Sequence, residues 1–151
     1  MNLPPRKKLW LFASLYAIGM LYLLFFRRNP FSAVPLPHPD VNLIPFRTMR
    51  RYLYCLTPPL RHANVRWAVI NFFGNVILFL PLGFLPPLMW KWARKLPWTL
   101  LLSIAVMTAV EVLQMLLRVG VCDVDDLILN VTGAAIGYGC FAIYRHNKEH
   151  L

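Results

Sequence analysis

The sequence predicts an all-α polytopic membrane protein with about four transmembrane helices and a long loop between helices 1 and 2. Three observations carry this. Hydrophobic residues make up 58% of the 151, and the mean hydropathy of +0.53 is well above a globular value. Apolar runs of spanning length recur along the chain. The 16 Lys and Arg fall in the gaps between those runs, so the net charge of +10 reads as basic flanks around spans, with membrane lipid and not nucleic acid as the partner.

The first span covers about residues 9–26, bracketed by Arg6-Lys7-Lys8 and Arg27-Arg28. A basic start before an apolar run also opens a signal peptide, but no small-residue cleavage site follows, so a retained helix is expected. Residues 27 to 66 form a connection rich in Arg and Pro, including Pro30, Pro35, Pro37, Pro39, Pro45, Pro58 and Pro59. Within it, Asn42-Leu-Ile-Pro-Phe46 followed by Arg47, Arg50 and Arg51 suits a short interfacial helix. The second span, about 67–90, holds Asn71, Asn75, Pro81 and the Pro86-Pro87 pair and is expected to be kinked or short. The third covers about 97–117 and the fourth about 127–144, giving a single domain over 1–151 without internal repeats. Cys55, Cys122 and Cys140 show neither CxxC nor Cys/His ligand spacing, which implies no zinc site and no disulfide framework. Basic residues close to the span ends, Lys7, Lys8 and the cluster from Lys91 to Lys95, favour a cytoplasmic N-terminus.

Consecutive spans run antiparallel, so the start of span two, the end of span three and the start of span four share one membrane face whichever way the chain is inserted. That face receives Asn71 and Asn75, then Glu111, Gln114 and Arg118, then Asp123, Asp125, Asp126 and Asn130, together with the long loop. Glu111 lies roughly 10 Å below the level of Arg118 at helical rise. The three- and four-residue spacings put Asn71 with Asn75, Glu111 with Gln114, and Gln114 with Arg118 on common stripes, a set able to line a pocket open to one surface. An ionisable group inside a span costs at least about 2.5 kcal/mol, so Glu111 faces protein or water and is a functional candidate. One carboxylate at the start of span four is ordinary helix capping; three within four positions exceed what capping requires, and capping and a ligand or metal role carry equal weight. Asn71, Asn75 and Gln114 each also suit interhelical hydrogen-bonding, and Gly133 with Gly137 forms a GxxxG step for close helix approach.

Taken in order, Asn42-Leu-Ile-Pro-Phe46, Asn71-Phe-Phe-Gly-Asn75, Phe79-Leu-Pro-Leu-Gly83-Phe84, Glu111-Val-Leu-Gln114 and Asp123-Val-Asp-Asp126-Leu-Ile-Leu-Asn130 with Gly133 and Gly137 resemble the VanZ family over about residues 41 to 144. The resemblance implies a small polytopic membrane protein of bacteria, whose namesake lowers susceptibility to teicoplanin without the precursor-remodelling enzymes of vancomycin resistance. The family pattern falls on Asn42, Pro45, Phe46, Asn71, Gly74, Asn75, Pro81, Gly83, Glu111, Gln114, Asp123, Asp125, Asp126, Asn130, Gly133 and Gly137. One departure is the short link from Arg118 to Asp123, where relatives tend to carry an Arg closer to the acidic motif.

Three functional classes follow. The first is a cell-envelope accessory or binding protein of the bacterial plasma or inner membrane. It would hold a lipid headgroup, a glycopeptide or a lipid-linked envelope precursor through Asn42, Arg47, Asn71, Asn75, Glu111, Gln114, Arg118, Asp123, Asp125, Asp126 and Asn130, with the arginines suited to phosphates or carboxylates. The second is an intramembrane enzyme on a lipid or lipid-linked substrate, with Glu111 or Asp126 as acid or base and a divalent cation on Asp123, Asp125 and Asp126 as the candidate cofactor. The third is a scaffold, for which the GxxxG step and the helical body suffice. The order of preference is binding, enzyme, scaffold.

Overall fold

A computed structural model describes residues 6–25, 40–58, 62–118 and 121–149. Helix α1 covers Arg6–Phe25, a three-residue strand β1 covers Asp40–Asn42, and α2 covers Arg47–Cys55. Helix α3 covers His62–Met89, α4 Leu96–Leu116, strand β2 Val121–Asp123, and α5 Val124–Glu149. Four of the helices, α1, α3, α4 and α5, are long and apolar enough to cross a membrane. The Arg27-Arg28 pair, the prolines from Pro30 to Pro39, and Pro59 lie outside the described residues.

The apolar runs become helices because a backbone in lipid has no water to satisfy it and must bond within its own segment. Helices α1, α3 and α5 are longer than their apolar runs, α5 most, since it continues through Arg145 to Glu149 with an Arg145 Nε–Glu149 Oε1 pair at 2.7 Å. Of the two expectations for the second span, kinked or short, the short length does not hold: α3 continues through Pro81, Pro86 and Pro87 to Met89. Proline inside such a helix removes an N–H without forcing a break, and carbonyls of the last turn find donors beyond it. Just after the helix, the Trp90 amide donates to the Pro86 carbonyl at 2.8 Å, and Arg94 Nε donates to the Pro87 carbonyl at 3.4 Å.

The body is organised on a seam between α3 and α5, which make the most extensive helix contact. A Cβ built on Gly133 would stand 2.1 Å from the Val76 carbonyl oxygen, one on Gly137 2.0 Å from that of Leu80, and one on Gly83 1.9 Å from that of Ala134. The two backbones therefore approach as only glycine allows, and the hydrogen in place of each Cβ points at a carbonyl. The GxxxG step of α5 is thus used inside the chain. Its register, Val76 with Gly133 and Leu80 with Gly137, runs in the same direction along both helices, as spans two and four must.

Helix α1 packs across this seam with opposite polarity. Near its end, Met20 joins Phe79, Met107 and Val110 in one core cluster, and near its start Leu9 joins Leu88 and Phe141 in another. The Tyr16 hydroxyl donates to the Leu78 carbonyl at 2.8 Å. At the Leu9 end, Trp10 meets Trp90 edge-on at 5.9 Å, and Trp90 stacks on Trp92 at 6.0 Å, beside Lys91, Arg94 and Lys95. Aromatics among basic residues at helix ends mark a headgroup level. The opposite end holds α2, the strands and the acidic motif.

Because backbone carbonyls cannot move aside as side chains do, Gly137→Ala is expected to lower stability by about 3 kcal/mol, the upper range for overpacking. Gly139→Ala, with nothing within 4 Å of its Cβ, is expected to change stability by less than about 1 kcal/mol. Paired thermal unfolding in detergent reads both.

Candidate functional site

The polar residues at the α2 end are organised by a helix that lacks its own cap. The residue before α2 is Phe46, whose side chain cannot accept a hydrogen bond and whose φ of 64° places it in the left-handed region. Asp125 of α5 supplies the missing acceptor from across the structure. Its Oδ1 accepts from the Phe46 amide at 2.5 Å, and its Oδ2 accepts from the Thr48 and Met49 amides at 2.6 and 3.1 Å. The Arg47 amide donates to the Ile44 carbonyl at 3.4 Å, so each N–H of the first turn has a partner. Asp125 is fully buried.

Asp123 caps α5 itself and also holds the loop. Its Oδ1 accepts from the Asp125 amide at 2.9 Å, the N-cap pattern, and from Asn42 Nδ2 at 3.1 Å. Its Oδ2 accepts from the Thr48 hydroxyl at 2.5 Å, and Asn42 Nδ2 reaches Thr48 Oγ1 at 3.2 Å. The strands place these groups: β1 pairs parallel to β2 with Asn42 opposite Asp123, and each strand leads directly towards a helix, α2 or α5. Below them, buried Glu111 of α4 accepts the Asp123 amide on Oε2 at 3.1 Å, and Asp126 accepts from Asn75 Nδ2 of α3 at 2.6 Å. One polar assembly thereby joins the loop, α2, α3, α4 and α5.

Tyr52 closes the buried side of α2. It packs with Ala68 and Leu129, its ring 5.2 Å from Trp67 and 6.5 Å from Phe72. Burial, and then the carboxylates of Asp126, Asp123 and Asp125, push its hydroxyl well above the ordinary tyrosine range. Burial, then Glu111 and Asp123, also raises the Cys122 thiol, which argues against a nucleophilic thiolate.

Of the residues predicted from sequence, Asn42, Asn75, Glu111, Asp123, Asp125 and Asp126 come together here. The others stand apart. Asn71 donates to the Trp67 carbonyl of its own helix at 2.7 Å. Gln114 donates to the Leu24 carbonyl at 2.8 Å, satisfying the end of α1. Arg118 is exposed beyond α4 with a φ of 55°, and Arg47 is exposed on α2. Asn130 is fully buried deeper in α5, with Nδ2 on the Met107 sulfur at 2.9 Å and an Oδ1 that meets no partner among the described residues. Among the described residues, no three His, Cys, Asp or Glu side chains converge where a metal ion could sit. Sequence reasoning missed Thr48 and Tyr52; the signal for them was their place on the helical face of α2 opposite its arginines.

Asp125→Ala would leave buried amides without an acceptor, and its expected cost to α2 is about 2 kcal/mol. Hydrogen exchange of the first-turn amides of α2 should then quicken roughly 30-fold, whereas Asp125→Asn, which keeps one acceptor, should fall between. Asn130→Leu removes a poorly satisfied buried amide and is expected to alter stability by less than about 1 kcal/mol in either direction. Thermal unfolding tests it, and a functional loss without a stability loss would assign Asn130 to ligand handling.

No curated protein and no solved structure matches the chain. The family described as VanZ/LLP1 matches residues 13–145, which takes in the greater part of α1, the polar assembly and the glycine seam. The ordered motifs, the four spans and this match agree, and the chain belongs to the VanZ-like family of membrane proteins.

Proposed function

We propose that this chain is a cell-envelope accessory or binding protein of the bacterial plasma or inner membrane that lowers susceptibility to teicoplanin. Its N-terminus is cytoplasmic, and the polar assembly faces outward. The observation that carries the binding reading is the way Asp123 and Asp125 are used. Their oxygens accept from backbone amides, Asn42 and Thr48, and so fix α2 as a rigid shelf over the helix ends. The shelf presents Arg47, Arg50 and Arg51 outward, where guanidinium groups suit the phosphates or carboxylates of a lipid headgroup, a lipid-linked envelope precursor or a glycopeptide.

One observation favours the enzyme reading. Asp126 accepts a single described hydrogen bond, from Asn75, which leaves its second oxygen for a substrate proton. In that reading Asp126 or Glu111 is the acid or base on a lipid or lipid-linked substrate.

Expression of the wild type in a susceptible Gram-positive host is expected to raise the inhibitory concentration of teicoplanin selectively over vancomycin. Arg50→Gln/Arg51→Gln, at matched membrane levels, is expected to abolish that shift. Asp126→Asn keeps an acceptor for Asn75 and is expected to retain it under the binding reading; loss in Asp126→Asn alone would favour the enzyme. No shift from the wild type would end the teicoplanin assignment.

A further inference from the structure

We infer that α2 is an interfacial docking helix for the phosphates of anionic glycerophospholipids in the surrounding bilayer. Arg47, Arg50 and Arg51 occupy a helical arc of roughly 100°, opposite the side on which Thr48 and Tyr52 are tied to the body. All three are exposed, and among the described residues none forms an ion pair with a carboxylate. The acidic motif beneath α2 is turned inward to the amides of α2 and the side chains of Asn42, Thr48 and Asn75. The ridge therefore presents three guanidinium groups with no carboxylate paired to them among the described residues. Arg51 also lies over the Trp67 ring at 5.9 Å, which holds its guanidinium at the level where α3 leaves the membrane.

The apolar surroundings decide between a lipid and a soluble anion. Leu43, Ile44, Phe46 and Leu53 flank the ridge and are 69%, 61%, 63% and 65% exposed. Side chains of this size beside arginines, at the end of a transmembrane bundle, fit immersion at the headgroup–acyl boundary. That depth puts the guanidinium groups among lipid phosphates, where forked hydrogen bonds join charge attraction. The inference deepens the binding reading above by naming the ligand class at the same face.

The full chain in phosphatidylcholine nanodiscs with a minor fraction of phosphatidylglycerol provides the test, with retained lipid identified by native mass spectrometry after delipidation. Wild type is expected to retain phosphatidylglycerol preferentially, and each Arg→Gln change at 47, 50 and 51 is expected to lower that enrichment about fivefold at low salt. The triple Arg→Lys variant should keep most of the enrichment. Lys7→Gln/Lys8→Gln/Lys91→Gln, on the opposite face, should not lower the enrichment at α2, read by lipid crosslinking to the Arg47–Tyr54 segment. Equal losses from the two faces, or none from the α2 variant, overturn the inference, as does binding of a soluble acidic polypeptide to this ridge with lipid retention unchanged. The variant with Arg→Gln at 47, 50 and 51 together is expected to unfold as the wild type does, which separates loss of lipid contact from loss of α2 docking. A teicoplanin shift without lipid preference defeats this inference alone, and lipid preference without a shift defeats the functional reading alone.

Discussion

The carboxylate of Asp125 is the contact on which the polar end of this protein depends. A nine-residue helix is too short to be stable by itself in water, and α2 begins at a phenylalanine that offers no cap. Its first amides would stand unsatisfied against a buried acid cluster. By accepting them, Asp125 converts a basic, Pro-preceded segment into a fixed element and sets its distance from α5. Asp123 then does two things from one position: it caps α5, so that Asp125 is correctly presented, and it holds Asn42 and Thr48 on either side of the turn into α2. Three acidic residues within four positions are thus divided between α5, α2 and Asn75 of α3.

That division works only because the helices beneath it are placed closely. The contact of Asn75 with Asp126 lies one residue from Val76, whose carbonyl faces Gly133. Any widening of the α3–α5 seam would draw Asn75 away from Asp126 and tilt the N-terminus of α5 relative to the loop. The glycines and the carboxylates are consequently parts of one arrangement: close backbone approach in the apolar region sets the geometry of the polar end. Glu111 adds the third helix, since its bond to the Asp123 amide ties α4 to the strand that leads into α5.

The apolar runs made the spans legible, because lipid demands long uninterrupted helices and little else in a sequence looks like them. The sharing of one face by Asn75, Glu111 and the aspartates was legible too, as a consequence of alternating span direction. Pairwise partners were not. Asn71 and Asn75 share a stripe by spacing, yet only Asn75 reaches α5, while Asn71 lies one turn nearer the helix start and bonds to its own backbone. Gln114 shares a stripe with Glu111 but is drawn off by an unsatisfied carbonyl at the end of α1. The cap of α2 left no local trace, since a cap supplied in trans places no Ser, Thr, Asp or Asn before the helix. The β1–β2 pairing was equally silent: three-residue strands are too short for an alternating pattern to register.

The cap also imposes an order of events. The acceptor for α2 lies between 76 and 79 residues further along the chain than the amides it receives, and two membrane spans intervene. During synthesis the basic segment is therefore complete long before anything can hold it, and it acquires its anchor only after the fourth span begins to enter. The face that carries α2 is finished last, so a correctly ordered α2 serves as a report that the chain has reached its fourth span.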